Sequence, residues 1–353
     1  MSLFGMKNLS FFQKLLYILN WLFAILLILA LFARFISPKY FASLALVGLS
    51  FPFLAIINIV FLILWIALLK RQFLLPLLIL SFSYFHLNDF VRFDGKQKAF
   101  SSEKHFRVMS YNIASLMYKK KLRQEDNYKD VIAIIKAEKP DILCLQETYW
   151  TDLDIGYPYM TPTKDSYHIH SNYPIVNWGI VPYADNHINK CYFSDIKIHG
   201  DTIRVYNAHL ASTRFSNEEK STMSDLNEEL FKQDSLLEKN TSSILSKLKK
   251  AFTLRADQVD RISKHIESSP YKVILCGDFN DTASSYAYQT LTQSLDDSFV
   301  KAGSGFGNSF SELVFPLRID YILHSPSIQP FNYYTVKEKQ SDHLAIRSDF
   351  VID

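Results

Sequence analysis

Cysteine is scarce: the 353-residue chain has three, Cys144, Cys191 and Cys276. Three thiols cannot build a disulfide framework, and without a C-x-x-C pair the sequence argues against a structural zinc site. Cys144 and Cys276 lie in apolar runs and read as small buried hydrophobes. Acidic residues are scarce in one region only. Residues 1–100 hold nine Lys/Arg and two Asp/Glu, a charge of +7, whereas the remainder holds 29 basic and 33 acidic residues, or −4. The basic stretch is also greasy, which excludes a uniformly soluble protein. No internal repeat is visible, and 48 % hydrophobic residues exclude a disordered tail.

Within the greasy stretch, Leu15–Ala33 carries no charge over nineteen residues, enough for one helix across a hydrocarbon core of about 30 Å. Phe41–Leu69 is a second uncharged run, long enough to span with tilt, with Pro52 as the point for a kink. Phe73–Leu87 is shorter and reads as a third span extended towards Val91, or as a re-entrant or interfacial piece. A cleaved signal peptide does not fit, because two further apolar stretches follow and no small-residue cleavage site intervenes. The expectation is an integral, multi-pass segment of about three helices over residues 1–90, then a polar linker over 91–105. Basic residues flanking the runs are nearly balanced between the two sides. The orientation expected places the C-terminal domain outside the cytoplasm.

From residue 106 to 353 short apolar runs alternate with polar helical stretches. Phe106–Tyr111, Ile142–Gln146, Ile203–Asn207, Lys272–Cys276 and Ile319–Leu323 read as strands, and Asp130–Ala137 as a helix ended before Pro140. This mixture predicts an α/β domain built on sheets. One insertion, about 214–250, interrupts the pattern. Leu226, Leu230, Leu237, Ile244 and Leu248 recur at helical spacings, which predicts a helix or helical hairpin. Its role is either a packing arm against its own domain or a lid facing membrane or substrate. Arg255–Ile262 reads as a separate helix before the next strand.

Polar residues close the apolar runs. VMSYNIASL ends on Asn112, DILCLQET on Glu147, and VYNAHLAS presents Asn207 and His209. VILCGDFND presents Asp278 and Asn280 after Gly277, and RIDYIL and QSDHLAI supply Asp320, Asp342 and His343. Singly each is weak: a lone acid at a strand end is usually a solvated turn residue, and Gly, Asp and Asn all favour turns. Together they suggest polar groups converging at one edge of a packed sheet pair. Asn112, Glu147 and Asp342 offer oxygen ligands suited to a hard divalent cation, Mg²⁺ or Mn²⁺. Histidines held near acids can act on a water and a phosphate. Phosphate-ester hydrolysis needs this combination of Lewis acid, activated water and charge stabilisation.

The ordered motifs resemble the endonuclease/exonuclease/phosphatase superfamily, which includes pancreatic-type deoxyribonucleases, abasic-site endonucleases, neutral sphingomyelinases and inositol polyphosphate 5-phosphatases. The resemblance covers Phe106–Asp353 and implies a four-layer α/β sandwich with its site at one edge of two facing sheets. It implies Glu147 as principal metal ligand beside Asn112, with Asp342 next to the metal. It further implies that His209 stabilises the phosphate or assists the leaving group, that Asp278 orients the attacking water and that Asn280 binds the phosphate. His343 would be the general base or its equivalent, oriented by Asp320. Asn207 is the remaining expected substrate contact. The long insertion after His209 and Ser309, where members often carry Thr, depart from the pattern.

Two substrates compete. A membrane-anchored phosphodiesterase of a lipid head group or small phosphodiester fits the anchoring and the amphipathic insertion. An anchored nuclease needs excess Lys/Arg to replace counterions, and the net −4 beyond residue 100 counts against it, although Lys119–Lys121 supply a local basic run. A non-catalytic receptor or scaffold would have lost a His or Glu from the set, and none is missing.

Overall fold

The computed structural model describes residues 6, 9–93, 104–114, 124–148, 155–183, 189–213, 215, 235–310, 317–337 and 340–352. The Lys119–Lys121 run and the first half of the insertion lie outside the described residues.

Four helices form the N-terminal part: α1 (Phe11–Ala33), α2 (Pro38–Leu49), α3 (Phe51–Ala67) and α4 (Leu74–Leu87). Ser10 and Gln13 close a capping box at the start of α1. The long uncharged run expected as one helix is two. The chain breaks at Ser50, Pro52 sits in the first turn of α3, and the pair is bent by 46°. Pro lacks the N–H that would continue α2 and suits a first helical turn. Among the described residues α1 is the single helix long and apolar enough on its own to cross a membrane. The bundle core is apolar, built on Leu27, Phe51, Leu54, Trp65 and Ile79, and it buries a few polar side chains among them. Trp65 Nε1 donates to Asn20 Oδ1 at 3.0 Å, and Asn58 Nδ2 donates to the carbonyls of Phe23 and Leu54. Leu15, Ile18, Leu22, Ile25, Ile56, Ile63 and Leu78 face outward.

The rest is a four-layer α/β sandwich. One sheet runs β11 (Ile328–Thr335), β12 (Ile346–Ile352), β1 (His105–Asn112), β2 (Ile142–Gln146), β4 (Tyr167–Ser171), β3 (Tyr159–Met160). The other runs β5 (Ile175–Ile180), β6 (Cys191–Ile198), β7 (Asp201–His209), β8 (Lys272–Asp278), β10 (Asp320–His324), β9 (Asp296–Asp297). Helix α5 (Gln124–Glu138) sets Val131, Ile134 and Ile135 on the outer face of the first sheet. Helix α6 (Ser235–Glu267) sets Val259, Ile262 and Ile266 on the second.

Alternation along the strands decides what the sheets enclose. Phe106 and Val108 of β1, Ile142 and Cys144 of β2, Ile203 and Val205 of β7, and Ile274 and Cys276 of β8 fill the space between the sheets. Continuing the same parity by one or two steps reaches Asn112, Gln146, Asn207, His209 and Asp278. The inward face of every central strand thus turns from apolar to polar at the same end.

Helix α6 corrects the expected insertion. The stretch read as a separate helix at Arg255–Ile262 is continuous with the insertion's second half in one 33-residue helix. It contains no Gly or Pro, and its buried face runs unbroken through Ala251, Phe252, Arg255, Ala256 and Val259.

His170, buried on β4 beside Tyr157 and His168, gives the fold a pH dependence. Burial, reinforced by the neighbouring His168, pushes its imidazole down from 6.5 to about 4. The unfolded chain therefore takes up a proton that the folded chain refuses. Stability is full above about pH 6.5 and falls as the pH drops towards 4, by on the order of 2–3 kcal/mol from this group. Thermal unfolding at pH 7.0, 5.5 and 4.5 should show the loss, and His170→Phe should reduce it, the remainder coming from His168 and His324, which burial also lowers.

Candidate active site

Asp278 ends β8 with 1 % exposure, and four side chains converge on its carboxylate. Asn112 Nδ2 donates to Oδ2 at 2.9 Å and Asn280 Nδ2 at 3.3 Å. The Nε2 atoms of His209 and His343 stand 3.5 and 3.6 Å from the same oxygen. The other oxygen accepts the Asn280 backbone N–H at 2.8 Å. Register accounts for the meeting. His209 is paired with Asp278 across the parallel β7–β8 ladder, and Asp320 is paired with it across the antiparallel β8–β10 ladder. Gly277 makes the approach feasible: its φ is +144°, and a Cβ there would lie 1.8 Å from the Ala208 carbonyl oxygen.

Two residues reach the cleft by leaving the strand conformation. Glu147 has φ +57° and Asn280 φ +52°. By alternation Glu147 would face the outer layer. The left-handed turn instead brings its carboxylate to 3.4 Å from Asn112 Nδ2 and 3.7 Å from His209 Nε2, with a third of the side chain exposed. A left-handed non-glycine residue is strained, and such strain concentrates at functional sites.

His343 Nδ1 lies 2.9 Å from Asp320 Oδ2, which fixes the ring's orientation and directs Nε2 at Asp278. Burial alone would lower this imidazole, but the carboxylates of Asp320 and Asp278 overcome it and raise it to about 10. Burial pushes the Asp278 carboxyl up, against the pull of the His343 charge. Asp278, Asp320 and His343 bring ligand atoms within 4.8 Å of one another. Asp342 stands on the turn before His343, where Ser341 Oγ is within 3.1 Å of its Oδ1 and 2.9 Å of the Asn112 carbonyl.

The structure thus gathers Asn112, Glu147, His209, Asp278, Asn280, Asp320 and His343 in one cleft, with Asp342 tied to it through Ser341. Asn207 is the exception. It lies two residues, about 7 Å of strand, below His209 and is fully buried. Its Oδ1 accepts Gln146 Nε2 at 2.7 Å, and its Nδ2 donates to the carbonyls of Leu145 and His168. The amide is consumed in bridging the two sheets, so the expected substrate contact is corrected to a structural one.

Sequence reasoning missed three supports. The ring of Tyr167 meets that of His209 edge-on at 5.7 Å, and the ring of Phe310 meets that of His343 at 4.9 Å. Ser341, next to Asp342, offered no signal beyond a small polar residue. Ser309 accepts the backbone N–H groups of Ile319 and Asp320, a task any Ser or Thr hydroxyl performs.

A buried carboxylate flanked by two histidines, at one edge of an α/β sandwich, defines an enzyme of phosphate-ester hydrolysis. The chain belongs to the Endonuclease/Exonuclease/phosphatase family, whose sequence profile matches residues 109–343. Residues 13–90 match a separate profile, described as a domain of unknown function. No curated protein matches the chain. The fold resembles that of the human Nocturnin catalytic domain with bound sulfate anion: TM-score 0.51, 17 % identity, covering 73 % of this chain and 98 % of that one. It also resembles the humanized D. rerio TDP2 carrying 14 mutations: TM-score 0.50, 16 % identity, 70 % and 99 % coverage. D. rerio TDP2 complexed with single strand DNA product is similar to the same degree: TM-score 0.50, 16 % identity, 70 % and 99 % coverage.

Asn207→Ala separates the two roles for that residue. Losing the inter-sheet amide strands buried partners and should cost about 2–4 kcal/mol. KM for a small phosphodiester should stay within about twofold, since the side chain does not face the cleft. A KM raised tenfold at unchanged stability would restore the substrate contact.

Proposed function

We propose that the chain is a membrane-anchored, divalent-metal-dependent phosphodiesterase that hydrolyses a lipid head group or another small phosphodiester with an activated water. The observation that carries the chemistry is the buried Asp278 carboxylate between the Nε2 atoms of His209 and His343. His343, raised to about 10, is an imidazolium at neutral pH and donates from Nε2 to a phosphate oxygen. Asp278, whose carboxyl burial has raised, orients the attacking water and takes its proton. His209 and the Asn280 amide complete the phosphate clamp. Asp320 holds the His343 ring in its working orientation and stabilises its charge.

The donor set fits a hard cation. Glu147 is an oxygen-only ligand, partly open to solvent and 3.4 Å from the Asn112 side chain, with Asp342 on the neighbouring turn. These three residues would hold Mg²⁺ or Mn²⁺, which when bound supplies Lewis-acid stabilisation of the phosphate charge.

The bundle supports anchoring. A helix group with asparagines inside and Leu, Ile and Phe outside suits lipid, where internal polar groups must be satisfied by one another. Helix α1 serves as one span and the bent pair α2–α3 as a second, while α4, with fourteen residues, is too short to cross alone and packs as a partial span beside them. Tyr17 and Asn20 of α1 meet Trp65 of α3, and Phe23 meets Asn58, so these helices run antiparallel. Lys14, Lys70 and Arg71 then share the end remote from the catalytic domain. Arg34, Lys39 and Arg92 stand at the other end, so the basic residues are nearly balanced, and the extracytoplasmic catalytic domain is kept as part of the proposal.

Lipid is preferred to nucleic acid for two reasons. The region beyond residue 100 is acidic overall, at −4. In addition, Ser284–Tyr286, beginning four residues beyond Asn280, line one small cavity together with Ala33, Pro38, Ala45 and Leu49 of the bundle, which brings the loop after the active site to the bundle end of the domain. The nuclease alternative draws on the likeness to TDP2 complexed with single strand DNA product.

Full-length protein in lipid nanodiscs, assayed in parallel on sphingomyelin, glycerophospholipids, bis-p-nitrophenyl phosphate, plasmid DNA and RNA, tests the proposal. Lipid or small diester turnover should exceed that of nucleic acid and vanish in EDTA. Glu147→Gln should lose about 100-fold or more of kcat at unchanged thermal stability. Full activity in EDTA would remove the metal, and faster cleavage of DNA would make the enzyme a nuclease.

A further inference from the structure

The reaction proposed above requires Asp320 to hold His343, and the contacts around Asp320 lead back to the membrane bundle. Arg318, two residues earlier, is buried among the rings of Phe299, Tyr321 and Tyr288. One guanidinium nitrogen pairs with Asp297 Oδ2 at 2.6 Å, and the other donates to the backbone carbonyl of Asp89 at 2.6 Å. Asp89 lies two residues beyond the end of α4. Its carboxylate takes Arg34, which caps α1, at 3.0 Å and contacts the His86 ring at the end of α4. Three residues on, Arg92 and Gly305 exchange both backbone hydrogen bonds, at 2.9 and 2.8 Å. Gly305 opens the segment that carries Ser309 and Phe310 to Asp320 and His343.

The peptide between Arg318 and Asp320 is the junction on the catalytic side. The Ile319 carbonyl accepts the N–H of Phe279, which lies between Asp278 and Asn280. Its own N–H, like that of Asp320, is held by Ser309 Oγ. A shift of Arg318 therefore displaces both halves of the site. A guanidinium suits this place because its planar fork serves two acceptors in fixed directions, which an ammonium on a flexible stem cannot do.

We propose that Arg318 is a positioning residue through which the exit of the membrane bundle, at Asp89, sets the alignment of Asp320 with Asp278. The inference rests on the phosphodiesterase function proposed above. The bundle is then part of the catalytic architecture as well as an anchor.

Full-length protein in nanodiscs tests this with bis-p-nitrophenyl phosphate, a substrate that needs no bilayer. Arg318→Lys keeps a charge near Asp297 and gives up the fork. It should lower kcat between about tenfold and a hundredfold, with KM within about twofold. Asp89→Ala, remote from the cleft, should lower kcat in the same direction, and the double variant should be no worse than Arg318→Lys alone. Hydrogen exchange of residues 317–324 should quicken in Asp89→Ala. Arg204→Lys, which alters a buried Arg–Asp195 pair elsewhere on the sheet, should leave kcat and that exchange unchanged. Wild-type kcat in Arg318→Lys, additive losses in the double variant, or unaltered exchange in Asp89→Ala would each overturn the inference. Wild-type protein inactive on every phosphodiester would overturn the functional proposal, and this inference with it.

Discussion

A single buried carboxylate organises the molecule. Ionised Asp278 at 1 % exposure would be costly alone, and it is tolerated because amides from two elements and imidazoles from two more surround it. Those partners come from both sheets: Asn112 from one, His209 and Asn280 from the other, and His343 from the turn leading into β12. Closing the cleft and satisfying the charge are therefore one event.

Below that layer the sandwich uses a second, neutral polar layer. Gln146 and Asn207 bond to each other across the inter-sheet space and to Ser110, Leu145 and His168 around them. Apolar packing at this depth would leave the register between the sheets free to slide, whereas directional amide pairs allow one alignment. The site above inherits its distances from this floor.

At the bundle end the catalytic domain and the N-terminal helices share contacts of the kind found inside a single domain. Lys39 at the start of α2 bridges Asp257 and Asp260 of α6 at 3.1 and 2.8 Å, and Thr253 reaches the Pro38 carbonyl. These pairs are about a third exposed and worth little individually. Their effect is geometric: with the buried Arg318 junction they fix the orientation in which the active-site edge meets the bundle.

The motifs that carry the chemistry were legible in the sequence because alternation of side chains is a local property. An apolar strand face that ends in Asn, His or Asp announces a polar edge, and six such endings suggest one shared edge of a sheet pair, whereas the four-layer sandwich came from the family resemblance. Pro52 likewise marked the break between α2 and α3, although not that α2 would lie against α6. Alternation could not set depth: Asn207 and His209 share one face of β7, and the packing distance between the sheets decides which reaches the cleft and which is buried beneath it. Glu147 had the wrong parity for the site, and its left-handed turn exists because Asn112 and the cleft hold it there. The unbroken run of α6 depended on a buried face extending beyond the insertion. Arg318 looked like one more strand-flanking charge until folding placed the end of α4 against it. The sequence by itself determined which groups are present and which strand faces carry them. Tertiary structure decided which of them meet, because contact between residues 89 and 318, or 207 and 146, is a property of packing and not of the chain's local pattern.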